Sequence, residues 1–200
     1  MIKKLFAIVL PVVLLAGISI AQEKTEKPVA KAEKNPIVKF QTNYGDFYLE
    51  VFLKETPIHA KNFLSKVEAG KYNGLIFHRI LEGFVVQGGS PDSSGSGSMG
   101  TDRPADEKSP FPEVRGTVAM ARSPLGASDC QFFINLSDHT IGSKPDLDSQ
   151  GFSAFAKVIS GMDVVDKISM VEVGASGRPV KDVTMIKVSK VDKVSEAKAQ

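Results

Sequence analysis

The chain has 200 residues, 42% of them apolar, with 25 Lys and Arg against 23 Asp and Glu. That length suits a single folded domain, and a balance without a basic surplus or stripe excludes nucleic acid as a partner. One cysteine, Cys130, and three histidines without HxH or HxxxH spacing exclude an internal disulfide, a multi-cysteine zinc site and a histidine-built metal site.

The first 21 residues are expected to be a signal peptide. Lys3 and Lys4 form a short positive start, Leu5 to Ile20 is an apolar run, and Ser19-Ile20-Ala21 offers the small residues of a cleavage site. The alternative is an uncleaved anchor, but Pro11 interrupts a run that is already shorter than the roughly 20 residues a bilayer requires. Cleavage removes Lys3 and Lys4 and leaves 23 basic against 23 acidic residues. Export to the periplasm or the extracellular space follows. Residues 22–35, QEKTEKPVAKAEKN, are half charged and contain no aromatic residue, too little apolar surface to offset ordering, so a solvated tether is expected. Residues 193–200 read as a similar tail, leaving 36–192 as the folded domain.

Ile37–Thr42 alternates, Asn43-Tyr44-Gly45 turns, and Phe47–Leu53 returns, the pattern of a hairpin. Thr56-Pro57 predicts a helix start with a capping hydroxyl, Ile58, Phe63, Leu64 and Val67 repeat at helical spacing, and Gly70 ends the run. Short strands are predicted at 76–80, 84–87, 117–121, 131–136, 153–159 and 183–191, and a second helix at 162–169 where Val164, Val165 and Ile168 share a face. Eight strands with two helices predict a mainly β fold, a closed eight-stranded antiparallel barrel capped by two α-helices.

The stretch Phe77–Gly89 is the densest in chemistry. Arg79 lies in an otherwise apolar strand, and Gln87 follows on the next strand, so guanidinium and amide can meet beside Phe84. An ordinary strand arginine paired with a rim carboxylate is the alternative. Phe132 and Phe133 point to opposite faces of a strand, so one belongs to the core and the other to a groove, unless both are buried. His78 reads as a structural hydrogen-bonder rather than a base, and Cys130, beside two phenylalanines, as inert packing. Residues 93–100 lack the Gly-Lys-Ser/Thr of a phosphate loop, and Asp92, Asp102 and Asp106 would repel phosphate, so a flexible surface loop is expected.

At these residues the chain resembles the cyclophilin family of peptidyl-prolyl cis-trans isomerases. The resemblance rests on Asn62-Phe-Leu64, Gly70-Lys-Tyr72, Phe77-His-Arg79, Gly83-Phe84, Gln87-Gly-Gly89, Gly116-Thr117, Met120-Ala121, Gln131-Phe-Phe-Ile134, Phe155-Ala-Lys-Val158 and Gly161–Val165. It implies Arg79 as the catalytic arginine and Gln87 as the residue that holds it. It implies a proline pocket of Phe84, Val85, Phe133, Leu147 and Phe152, with Ala121, Arg122 and Gln131 gripping substrate backbone and His78 at the rim. Ser123, with the 93–100 loop, is expected to set the preference for the residue before proline. Val85 stands where the family usually has methionine, Arg122 where asparagine is common, and Phe152 where histidine or tyrosine is frequent. Arg122 is expected to act mainly through its backbone. Asp146 stands where many members carry a tryptophan, which implies weak cyclosporin binding.

The activity implied is isomerisation of Xaa-Pro bonds during the folding of exported proteins, with neither metal nor cofactor. Its partners are proline-containing peptides and unfolded exported proteins, without stable membrane insertion after cleavage, and a monomer is expected. The alternative is a proline-binding chaperone or holdase of the same fold with little turnover.

Overall fold

The computed structural model describes residues 34–194. The leader, all but the last two residues of the tether, and residues 195–200 of the tail lie outside the described residues. Tether residue Asn35 donates from Nδ2 to Glu50 Oε1 at 3.1 Å, and Val51 N donates to Pro36 O at 2.9 Å, so ordered contacts begin just before the first strand.

The elements run β1 (Ile37–Thr42), β2 (Gly45–Val51), α1 (Pro57–Glu68), β3 (Arg79–Leu81), β4 (Val85–Gly88), β5 (Thr117–Ser123), β6 (Gly126–Asn135), β7 (Ala154–Ser160), α2 (Met162–Ser169) and β8 (Met185–Val191). A short 3-10 turn at Ala175–Gly177 adds to the elements expected from the sequence. The hairpin β1–β2 pairs Ile37 with Glu50 and closes at Thr42 and Gly45. Gly45 has φ 126°, and a Cβ there would sit 3.1 Å from Val164 of α2, so both backbone and packing require glycine.

All strand pairs are antiparallel, in the order β3-β4-β6-β5-β7-β2-β1-β8. The expected closed barrel is therefore corrected to a curled, open sheet whose ends are β3 and β8. The chain before β3 meets the chain entering β8 and the first residue of β8, Met185. An isolated bridge there pairs Ile76 with Thr184, and Phe77 N donates to Val183 O at 2.9 Å. β3 has three residues, confined between the turns of 71–74 and the Gly83 turn, and is too short to ladder onto β8.

Inside the curl lies an aromatic core. Phe63 of α1 packs its ring 5.6 Å from Phe132, 5.1 Å from Phe155 and 5.4 Å from Tyr72, and Phe40 stacks on Phe47 at 4.7 Å. Tyr72 is fully buried and donates its hydroxyl to Cys130 O at 2.8 Å, which removes the cost of an unpaired phenol.

The helix start differs from expectation. The Thr56 hydroxyl donates back to Phe52 O at 3.0 Å and makes no cap. The first N–H groups of α1 are met from a distant loop instead: the Glu107 carboxylate accepts from Ile58 N at 2.8 Å and from His59 N at 3.1 Å. A carboxylate at the positive end of a helix is favoured by both hydrogen bonding and the dipole. Glu107→Ala is expected to destabilise the domain by about 1–2 kcal/mol in urea unfolding. A loss indistinguishable from zero would mean that solvent caps these groups equally well.

Candidate active site

The site grows out of one pleat of the sheet. Arg79 of β3 pairs with Gln87 of β4, Gln87 with Phe133 of β6, and Phe133 with Ala119 of β5. Residues directly opposite one another share a face, so these four side chains form a row on the outside of the curl. The next row, Ile80-Val86-Ile134-Val118, is fully buried on the inside. Phe132 accordingly joins the main core, while Phe133 belongs to a second apolar cluster with Val85, Ala119 and Leu147.

That second cluster is the base of a pocket of about 140 Å³. Val85, Phe133 and Leu147 are deeply buried in it, and Phe84, Ala121 and Phe152 pack against them partly exposed. The Phe152 ring meets Phe133 edge-on at 5.4 Å. Arg79, Gln87 and Arg122 complete the lining with polar groups.

Arg79 is held by a chain of amides. Its Nη1 donates to Gln87 Oε1 at 3.1 Å, and Gln87 Nε2 donates to Gln131 Oε1 at 3.2 Å. Gln131 Nε2 ends the chain on the carbonyls of Gly95 and Gly97, at 2.9 and 3.2 Å. The guanidinium carbon lies 5.9 Å from the centroid of Phe84, within cation–π range. No carboxylate pairs with Arg79 among the described residues, so the rim ion pair that the sequence left open does not form. A cation with one neutral anchor and an apolar pocket beside it can donate its remaining N–H groups to a bound chain.

The family model for cyclophilin type peptidyl-prolyl cis-trans isomerase/CLD matches residues 37–190. The chain belongs to the cyclophilin family. It is 40% identical over 146 residues to peptidyl-prolyl cis-trans isomerase B of Escherichia coli, covering 70% of this chain and 88% of that protein. It is 39% identical over 151 residues to a peptidyl-prolyl cis-trans isomerase of Acinetobacter baylyi, covering 74% of this chain and 79% of that one. A crystal structure of a Cryptosporidium parvum cyclophilin type isomerase, determined in the presence of the dipeptide Ala-Pro, superposes with a TM-score of 0.70 at 29% identity, covering 78% of this chain and 99% of that one. The protein is a peptidyl-prolyl cis-trans isomerase.

Within this cyclophilin, most of the residues named from the sequence converge, and three sit apart from the pocket. Gln131 stands behind it in the amide chain. Ser123 lines a separate cleft with Gln131, Asp129 and the 95–98 loop. His78 is buried in the lining of a third cleft, which shares Arg79 and Gln87 with the pocket. Arg122 lines the pocket, and its side chain is engaged outward from it. It forms a two-pronged pair with Asp106, at 3.0 and 2.9 Å, and donates to Gly151 O at 2.8 Å. The long planar fork ties β5 to the two loops that flank Phe152, a role that a short asparagine cannot fill.

The loop expected to be flexible is cross-braced. Asp129 Oδ2 accepts from Ser98 Oγ, Met99 N and Thr101 Oγ1, while Gly95 N and Gly97 N both donate to Ser90 Oγ at 3.2 Å. Asp146 shapes its own loop, accepting from Gly142 N, Ser149 N and Ser149 Oγ, and leaves the lining to its neighbour Leu147. Cys130 is buried and burial pushes its thiol up to about 11, as befits an unreactive packing residue.

Two residues beside the pocket are not singled out by any sequence pattern. His139 lies under Phe84, its ring edge-on at 4.9 Å and its Nε2 3.2 Å from Phe84 O. Asp106, which the sequence presents only as a charge that repels phosphate, anchors Arg122.

Proposed function

We propose that this cyclophilin accelerates Xaa-Pro rotation in unfolded exported proteins by stabilising the twisted amide with Arg79 while the apolar pocket holds the proline ring. The observation that carries this reading is the Arg79–Gln87–Gln131 chain, a charged donor fixed at the mouth of a small apolar cavity. The Ala-Pro dipeptide present with the Cryptosporidium relative supports a proline-containing ligand.

The reaction breaks no bond. Amide resonance sets a barrier of about 18–20 kcal/mol, and uncatalysed exchange takes roughly tens to hundreds of seconds. A catalyst must favour the twisted form over both planar forms. Twisting localises the lone pair on the proline nitrogen, and a guanidinium donating to it is worth more there than in either ground state. Gln87 fixes the direction of that donation, and Gln131 fixes Gln87. Val85, Phe133 and Leu147 clamp the ring while the preceding carbonyl swings. Export of the clients rests on the positive start and apolar run of residues 1–21.

Exchange spectroscopy of a short Ala-Pro peptide tests the reading, with the protein expected to speed exchange at catalytic concentration. Binding of the peptide without faster exchange would replace it with a holdase.

A further inference from the structure

Beside the proline pocket, and sharing Arg79 and Gln87 with it, lies a cleft of about 280 Å³ walled by His78, Ser93, Ser94, Gly95, Ser176 and Arg178. Three observations bear on what it can hold. His78 is only 6% exposed, and both ring nitrogens are buried without a hydrogen-bond partner among the described residues. Burial first, then the cations of Arg178 and Arg79, hold its pKa below the usual histidine value, so the ring is neutral. Its nitrogens are closed to the cleft, so the ring forms an uncharged wall that does not compete with the arginines for an anion.

Second, Ser93 (φ 58°) and Ser176 (φ 60°) are the two non-glycine residues with left-handed φ among the described residues, and both line this cleft. Strained backbone of this kind gathers at ligand sites. Third, the charge is open. Arg178 donates from Nη1 to Ser93 O, and its Nη2 lies 3.5 Å from Asp182 Oδ1 in an exposed pair. These contacts leave most of its five N–H groups for another acceptor. The other nearby acid, Asp92, is turned onto Ser90 and Ser94, which hold its carboxyl down at about 2.

We infer that this cleft receives a carboxylate of the substrate chain, carried by an aspartate or glutamate, or by the chain terminus, within a few residues of the isomerised proline. Arg178 supplies the planar fork that matches a carboxylate, and Arg79 adds to the positive field. The inference rests on the isomerase reading, because Arg79 at the prolyl amide is what puts this cleft beside the flanking residues.

The test uses amidated peptides with an Ala-Pro core carrying Glu, Gln or Lys at successive positions on either side, compared by exchange spectroscopy. At one position the Glu peptide is expected to exceed the Gln peptide in kcat/KM by about 5- to 20-fold at low salt, with the gap narrowing at high salt. Arg178→Glu is expected to invert the order and favour the Lys peptide, which general damage to the fold does not do. A free-acid peptide ending at the preferred position, set against its amide, separates a terminal carboxylate from a side chain. Equal turnover of Glu and Gln peptides at every position overturns the inference and leaves the isomerase reading intact. Absence of turnover with all peptides overturns the isomerase reading itself, and the inference with it.

Discussion

Arg79→Ala is expected to lower kcat/KM for Xaa-Pro exchange by about 100- to 1000-fold, the usual cost of removing a preorganised donor from a transition state. Arg79→Lys should lose nearly as much. The reason lies in how the side chain is held. Nη1 is occupied by Gln87 Oε1, so the rest of the planar fork is what reaches the substrate. An ammonium group on a shorter reach must choose between Gln87 and the amide, and it has no plane to fix the angle between the two. Affinity for the peptide should change much less than turnover, because the ring is held by Val85, Phe133 and Leu147. The fold should be little disturbed, since Arg79 is half-buried on the edge strand β3. Exchange rates and peptide binding measured on both variants check this. A lysine variant with wild-type turnover would remove the guanidinium from the mechanism and leave only its charge.

Much of this is legible in the sequence because the two faces of the sheet carry different side chains at a fixed period. The order of hairpin, helix and short strands follows from alternation and from turn residues, and α2 falls on the residues predicted, Met162–Ser169. β6, by contrast, extends over Gly126–Asn135 where alternation marks only 131–136, because Ser128 and Asp129 are polar yet buried by their loop contacts. Closure escapes the pattern for a related reason: turn residues and alternation count the strands, whereas closure depends on whether the terminal pair is long enough to ladder. Arg79, Gln87 and Phe133 are recoverable because one cross-strand row joins them. The Arg122–Asp106 pair, the Glu107 cap and His139 under Phe84 join loops far apart in sequence, and no periodicity encodes such contacts. The buried acid Glu113 is of the same kind.

Glu113 carries the second large prediction, on stability rather than turnover. Its side chain is fully buried, Oε2 accepts from Asn135 Nδ2 at 2.6 Å, and neither Glu113 Oε1 nor Asn135 Oδ1 has a partner among the described residues. Burial pushes the carboxyl up to about 7; the Asn135 hydrogen bond opposes this and the Asp148 charge adds to it. An unfolded glutamate titrates near 4.5. Below that value both states hold the proton and the group contributes no pH dependence. Between about 4.5 and 7 the folded chain keeps a proton that the unfolded chain releases, so stability falls as pH rises through this window and stays reduced above it. The loss amounts to about 3 kcal/mol at pH 8, since a tenfold difference in proton affinity between the two states is worth about 1.4 kcal/mol. Glu113→Gln, uncharged at every pH, is expected to equal the wild type near pH 4 and to exceed it by about 2–3 kcal/mol at pH 8 in urea unfolding. Parallel stability curves for the two proteins would mean that Glu113 finds a counter-charge or solvent when ionised. The consequence reaches the pocket wall. Glu113 O accepts from His139 N at 2.7 Å, His139 O accepts from Leu147 N at 2.9 Å, and the His139 ring supports Phe84. Glu113 thus lies one hydrogen bond from the residue that supports both Phe84 and Leu147, and its ionisation above neutral pH is expected to be felt at that wall of the pocket.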